Sequence, residues 1–303
     1  MQPTAPGPER LLIVGLPRSG TTLLATLLGA QPRIQFLTDY FPAFTDLLLR
    51  LGKPWNAPLS QSERRIALAL VRDQFLRVRH PVLVKLDRFG SIDELHRLVL
   101  AELSSETDRW VGHKLLMDAG TLSATLAQTN IKCLLLVRDA RDAALSYFHR
   151  TGTGVERYVR NWSEMVRASS QLEGHPQLLA LRYEDLINSP PAALRRLGHW
   201  LGLELDADVP ALEFRRSRAH GATGWQENSA FQDVKRRFDP QPLERWRSQP
   251  DSPIVRYAGW AARAELERMG YAPAANLGAR ERWRFTCLRA LELAERRAYA
   301  NSS

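Results

Sequence analysis

The chain carries only two cysteines, Cys133 and Cys287, in 303 residues, so a disulfide framework is excluded and stability must come from a packed core. Cys133 lies inside the apolar run KCLLLV and reads as a small buried hydrophobe. Lysine is scarce: Lys53, Lys85, Lys114, Lys132 and Lys235 stand among 42 basic residues, the rest arginine. Acidic residues are in deficit, 33 against those 42, giving a formal net charge of +9. No apolar run approaches the roughly 20 residues of a membrane span. The Pro-rich start MQPTAPGPER lacks the basic-then-apolar order of a secretory signal. A soluble, cytoplasmic protein without a membrane span is expected. No block interleaves basic and aromatic residues, so no nucleic-acid partner is expected.

What is present begins with ordinary globular composition, 44% hydrophobic and 25% charged. The arginine excess suits bidentate contacts to phosphate or sulfate. The apolar run Leu11–Val14 leads into GLPRSGTT, which predicts a strand, a glycine loop and a helix from Thr21 to Gly29. Gly15 and Gly20 let the backbone approach a ligand, and Thr21 and Thr22 add hydroxyl donors. A nucleotide triphosphatase loop carries lysine where this chain has Thr21, so transfer of a γ-phosphoryl group is disfavoured. Arg18 is the nearest cation.

A second anion pocket is read in RDARDAALSYFHR, residues 138–150. Arg138 follows the buried strand 132–137, where open α/β sheets place ligands. Asp142, Ser146 and Arg150 fall one turn apart on the helix that follows. Strands are also expected at 82–86, 110–114 and 178–182. Capping patterns at Ser60 and Ser91 open helices to about Val78 and Leu103. Helices are expected at 121–129, from Pro190 to about Leu201, at 254–269 and at 280–299, whereas 32–58 reads as loop with short helices and 215–240 as loop. Alternating strands and helices predict an α/β fold, a P-loop-type central parallel sheet flanked by helices on both faces, with a C-terminal helical extension.

Taken together, PRSGTT and VRDARDAALS resemble the 5′-phosphosulfate loop and 3′-phosphate motif of sulfotransferases that use 3′-phosphoadenosine 5′-phosphosulfate (PAPS). Arg at the loop's third position is closest to the bacterial and tyrosylprotein branch. LRYEDLINSP resembles a third family segment, with Tyr183 near the nucleotide, and VKRRFDPQPLERW a basic lid. The resemblance spans about residues 10–271, hence a domain 1–271 in which 36–110 is the acceptor-pocket insertion, then linker and helix 272–303. It implies that Pro17, Arg18, Ser19, Gly20, Thr21, Thr22, Arg138, Ser146, Arg150, Tyr183, Ser229, Lys235 and Arg237 hold the donor, with the bisphosphate PAP as product and no metal. It further implies Lys114 and Arg18 at the sulfate and a carboxylate base at Asp39, where the branch has glutamate. His113 is held in reserve, with His149 and His220 behind it. Leu116 stands where the family has proline.

The implied reaction is in-line sulfuryl transfer to a hydroxyl. The alternatives are a P-loop kinase or NTPase, and a non-catalytic nucleotide-binding protein on the same fold. Phe36, Tyr40, Phe41, Phe44 and Trp55 make an apolar acceptor pocket an expectation, without choosing among small molecule, glycan, lipid and peptide. The last helix carries the stripe Trp283, Cys287, Leu291 and Ala294, which either packs on its own domain or makes a homodimer contact.

Overall fold

Short runs rich in Leu, Ile and Val become the strands of a parallel sheet. A computed structural model of the chain describes residues 7–40, 42–77, 88–206 and 243–300. β1 (Glu9–Val14), β2 (Ile34–Tyr40), β3 (Trp110–Leu115), β4 (Lys132–Val137) and β5 (Leu178–Arg182) lie in the order β2-β3-β1-β4-β5. Every pairing is parallel.

Parallel neighbours need long crossovers, and helices supply them. α1 (Thr21–Gly29) joins β1 to β2; α2 (Pro42–Leu51), α3 (Gln61–Arg77) and α4 (Ile92–Leu103) separate β2 from β3. α5 (Ala119–Gln128) joins β3 to β4, and α6 (Ala140–Thr151) with α7 (Val155–Gln171) joins β4 to β5. Then come α8 (Tyr183–Asn188), α9 (Pro190–Leu201), a 3-10 turn (Arg245–Ser248), α10 (Pro253–Ala261), α11 (Arg263–Arg268) and α12 (Ala279–Ala300). The Ser60 capping box forms in both directions: the Glu63 N–H donates to Ser60 Oγ at 3.3 Å and Ser60 N–H to Glu63 Oε2 at 2.7 Å. Ser91 Oγ likewise accepts from Glu94 N–H at 3.2 Å.

Alternation along each strand divides the core in two. Leu11, Ile13, Leu134 and Leu136 face α1, α8 and α9, while Leu12, Val14, Cys133 and Leu135 face the opposite layer. Burial pushes the Cys133 thiol up to about 12, leaving it an inert packing group.

Four expectations are corrected. Residues 34–40, read as loop, form β2; an irregularity between Leu37 and Tyr40 interrupts its pairing with β3 and masks the strand pattern. α7 went unread, although Val155, Tyr158, Val159, Trp162, Met165, Val166 and Ser169 mark one buried helical face. The helix expected over 254–269 is divided at Ala262, which lets Leu266 turn into the core. Phe36, Phe44 and Trp55, read as acceptor-pocket aromatics, are at most 1% exposed and fill the core instead. The strand expected at 82–86 and the loop at 215–240 lie outside the described residues, as do Phe41 and the Tyr40 side chain.

A buried polar relay ties α4 to the two strands that carry the site. Arg10 on β1 donates to Asp93 Oδ1 and Asn130 Oδ1, each at 2.7 Å. Its Nη1 also lies 3.3 Å from His96 Nδ1. Arginine can only donate, so His96 Nδ1 accepts and its Nε2–H donates to His113 Nε2, 3.0 Å away. That leaves His113 Nδ1–H to donate to the Lys114 carbonyl at 2.9 Å. Both rings are fully buried and therefore neutral.

Burial lowers His113 from 6.5 to about 4 and His96 well below 6.5. Below pH 6.5 the unfolded chain takes up protons that the folded rings refuse, so stability falls as pH drops from 6.5 toward 4. The slope is about 1.4 kcal/mol per pH unit for each ring. Urea midpoints should therefore fall between about pH 7.5 and pH 5, and H113Q should show about half of that dependence.

Candidate active site

Strand order sets the position of the site. After β1 the chain goes to the edge strand β2 and returns to β3 on one side, and after β3 it crosses to β4 and β5 on the other, so β1 and β4 flank the switch point. The loops after these two strands meet at the carboxyl edge of the sheet, where open α/β sheets form their crevice.

The loop 15–20 needs its glycines. A Cβ on Gly15 would lie 2.9 Å from the Leu136 carbonyl oxygen. Gly20 has φ +90°, and a Cβ there would sit 2.4 Å from the Tyr183 ring. Arg18 has φ 71°, a left-handed conformation that a non-glycine residue adopts only under constraint. Gly20 is the N-cap of α1 and offers no side chain to its first turn, whereas Ser91, Asp118 and Asp139 cap α4, α5 and α6. The first N–H groups of α1, with the positive end of the helix dipole, thus face the crevice as an anion cradle.

Three cations converge on this cradle. Arg18 Nε donates to Ser146 Oγ at 2.8 Å, joining the glycine loop to α6. Arg138, after β4, donates from Nη1 to the Arg18 carbonyl at 3.3 Å and lies 5.0 Å above the Tyr183 ring. Lys114 Nζ donates to Thr22 Oγ1 at 3.2 Å from the end of β3. Asp142 Oδ2 stands 4.0 Å from Arg138 Nη2, and its Oδ1 accepts the Trp246 N–H at 2.9 Å. Burial pushes the Asp142 carboxyl upward. The turn after Lys114 is held where Thr45 Oγ1 donates to the Leu116 carbonyl at 3.1 Å.

Sequence reading missed the two residues that brace the cradle from behind. On α7, Tyr158 OH donates to the Pro17 carbonyl at 2.8 Å and Trp162 Nε1 to the Arg138 carbonyl at 2.9 Å. Burial raises the Tyr158 phenol and keeps it a neutral donor. Their i, i+4 spacing inside the apolar face of α7 was the available signal.

The structure thus gathers Pro17, Arg18, Ser19, Gly20, Thr21, Thr22, Lys114, Arg138, Ser146 and Tyr183 around one crevice. Arg150 and His149 are exposed in the last turn of α6. His113 does not join the group: it neighbours Lys114 on β3, so its ring faces the other side of the sheet, into the His96 relay. A fully buried ring with both nitrogens engaged has no access to an acceptor, which corrects its reading as a reserve base. Asp39 lies in the irregular stretch of β2 beside Tyr40, whose Cα pairs with Lys114; its side chain is outside the described residues, as are Ser229, Lys235, Arg237 and His220.

Two substitutions test this geometry. Y158F removes the bond to Pro17 and should cost about 1 kcal/mol of stability, with weaker pyrophosphate binding by calorimetry. G20A drives a methyl group into Tyr183 and should abolish pyrophosphate binding altogether.

Comparison with known proteins follows the same residues. The model of the sulfotransferase family matches residues 9–207. Protein-tyrosine sulfotransferase 2 of Gallus gallus is 23% identical over 280 residues, covering 88% of this chain and 70% of that protein. The sulfotransferase domain of the Synechococcus PCC 7002 olefin synthase superposes with a TM-score of 0.54 at 17% identity, over 90% of this chain and 98% of that one. The sulfotransferase domain from the curacin biosynthetic pathway gives 0.55 at 16% identity, over 88% and 99%. These two show a shared α/β fold. The family match spans more than half of the chain and takes in the glycine loop, Lys114, Arg138, Ser146 and Tyr183, and on that ground the chain belongs to the sulfotransferase family.

Proposed function

We propose that this sulfotransferase takes its sulfuryl group from PAPS and transfers it to an acceptor hydroxyl. The observation that carries the reading is the Arg18–Ser146 bond, which fuses the glycine loop and the segment after β4 into one anion site. A donor with phosphates at two ends fits such a site. The uncapped N-terminus of α1 and Thr21 suit the 5′ end, while Arg138 and Ser146 suit the 3′-phosphate. The Tyr183 ring, packed on Gly20, offers a flat apolar wall beside both.

Bound there, PAPS supplies an activated sulfuryl group on a phosphate leaving group. Lys114 and Arg18 stabilise charge on the transferring and bridging oxygens, the work a loop lysine and Mg²⁺ do in a nucleotide triphosphatase. Lys114 comes from a strand and is only 8% exposed, so its charge acts in a poorly solvated setting. Asp39, at the carboxyl end of β2 next to Tyr40, takes the proton from the acceptor hydroxyl. Ser229, Lys235 and Arg237 close over the donor. The acceptor enters on the β2 side, beside Lys114, and small molecules, glycans, lipids and peptides all remain within that chemistry.

Calorimetry and turnover test these assignments. Adenosine 3′,5′-bisphosphate should bind without Mg²⁺, and R138A should weaken it about 10- to 100-fold, the worth of a charged hydrogen bond. Mg²⁺-dependent ATP binding in its place would identify a kinase or NTPase. K114A should lower kcat by about 10²–10³ with little change in bisphosphate affinity. D39N should abolish turnover, read as gain of one SO₃ by mass spectrometry, while nucleotide affinity stays nearly constant; full activity in D39N removes Asp39 from the mechanism.

A further inference from the structure

The C-terminal helix α12 has two apolar faces, and only one is covered. Toward the body it presents Phe285, 3% exposed, edge-on to Tyr257 and beside Trp260. Two of its acidic side chains turn the same way: Glu281 pairs with Arg256, and Glu292 with Arg160. The stripe read from the sequence therefore does not pack on its own domain. Trp283 is 71% exposed, Leu291 63% and Leu293 40%.

At about 100° per residue, Trp283, Ala290 and Ala294 form the centre of the outward strip, with Leu291 and Leu293 at its margins. Exposed Arg280 and Arg284 fall on either side of Leu291 at one margin, and exposed Arg282 and Arg289 lie beyond Leu293 at the other, Arg289 next to the hollow that Trp260 lines. Among the described residues none of these four arginines is ion-paired with a carboxylate. With both described glutamates neutralised on the inner face, the outer face is an apolar strip between two rows of positive charge.

We propose that this face of α12 docks on an anionic lipid surface, lying in the plane of the headgroups. The tryptophan and leucines enter the acyl boundary, and the arginine stems snorkel so that their guanidinium groups meet lipid phosphates. No described helix is long and apolar enough to cross a membrane, so the association is peripheral. Charge decides against a second copy of the chain: pairing this face with itself would set the described arginine rows against one another, with Glu281 and Glu292 already engaged by Arg256 and Arg160. The Arg-flanked strip thus matches a surface that is apolar in depth and negative at its rim.

Cosedimentation of the full chain with vesicles tests this. Phosphatidylcholine vesicles with about 30% phosphatidylserine should retain the protein. Vesicles of phosphatidylcholine alone should not, and about 0.5 M salt should release it. The double variant W283S/L291S changes only exposed side chains and should lower partitioning at least about tenfold, with circular dichroism and bisphosphate affinity unchanged. R282E/R289E should abolish retention. Failure of the wild type to sediment with anionic vesicles, or equal retention of both variants, overturns the proposal. So does a dimer in sedimentation velocity that W283S/L291S dissociates while vesicles retain nothing, because the strip would then belong to a second copy.

Discussion

Parallel hydrogen bonding of β1 to β3 on one side and to β4 on the other brings three strand ends to one edge of the sheet. The glycine loop leaves the middle strand, Lys114 ends one neighbour and Arg138 follows the other. None of these groups is near another in sequence, and no local motif could assemble them. The relay from Arg10 through His96 to His113 and the Lys114 carbonyl reinforces this arrangement, because it links β1, α4 and β3 through donors whose directions are fixed. A slip of one residue in β3 would turn Lys114 to the wrong face, and a slip in β1 would turn Arg10 away from His96, each leaving buried polar groups unsatisfied.

The arginines of this basic chain divide by what holds them. Arg10, Arg160 and Arg256 are bonded to Asp93, Glu292 and Glu281, and these pairs fasten one element to another, while Arg141 is bonded to Asp139, the N-cap of its own helix. Arg141 is also sandwiched against the Trp246 ring at 3.7 Å. Arg18 donates to the Ser146 hydroxyl, and Lys114 to the Thr22 hydroxyl. The left-handed backbone at Arg18 suits the proposed reading, in which the loop folds around a ligand rather than around its own side chains.

Much of this was legible in the residues. β1, α1, β4, β5 and α9 follow directly from apolar runs and punctuation by Gly or Pro, and the anion loop from its glycine spacing. β2 was hidden because the irregularity at 38–39 breaks strict alternation, a feature that only pairing with β3 resolves. His113 and Lys114 were both candidates for the chemistry, yet a strand sends adjacent side chains to opposite faces, so one of them had to be structural. Phe36, Phe44 and Trp55 illustrate the same limit: aromatic content says that a surface is to be buried, not whether a ligand or the core will bury it. Tyr158 and Trp162 carry no motif and become meaningful only when the partner carbonyls are placed.

The bracing by α7 makes the span of the anion site a helical quantity. Tyr158 and Trp162 are four residues apart on one helix, a rise of about 6 Å, and each grips the carbonyl of one half-site. For the two phosphate-binding halves proposed above, the separation is gauged by a helix behind the sheet rather than by the loops themselves. In the proposed reading, a change of side chain in the loops in front leaves that gauge in place, so donor spacing and acceptor fit are set by different elements.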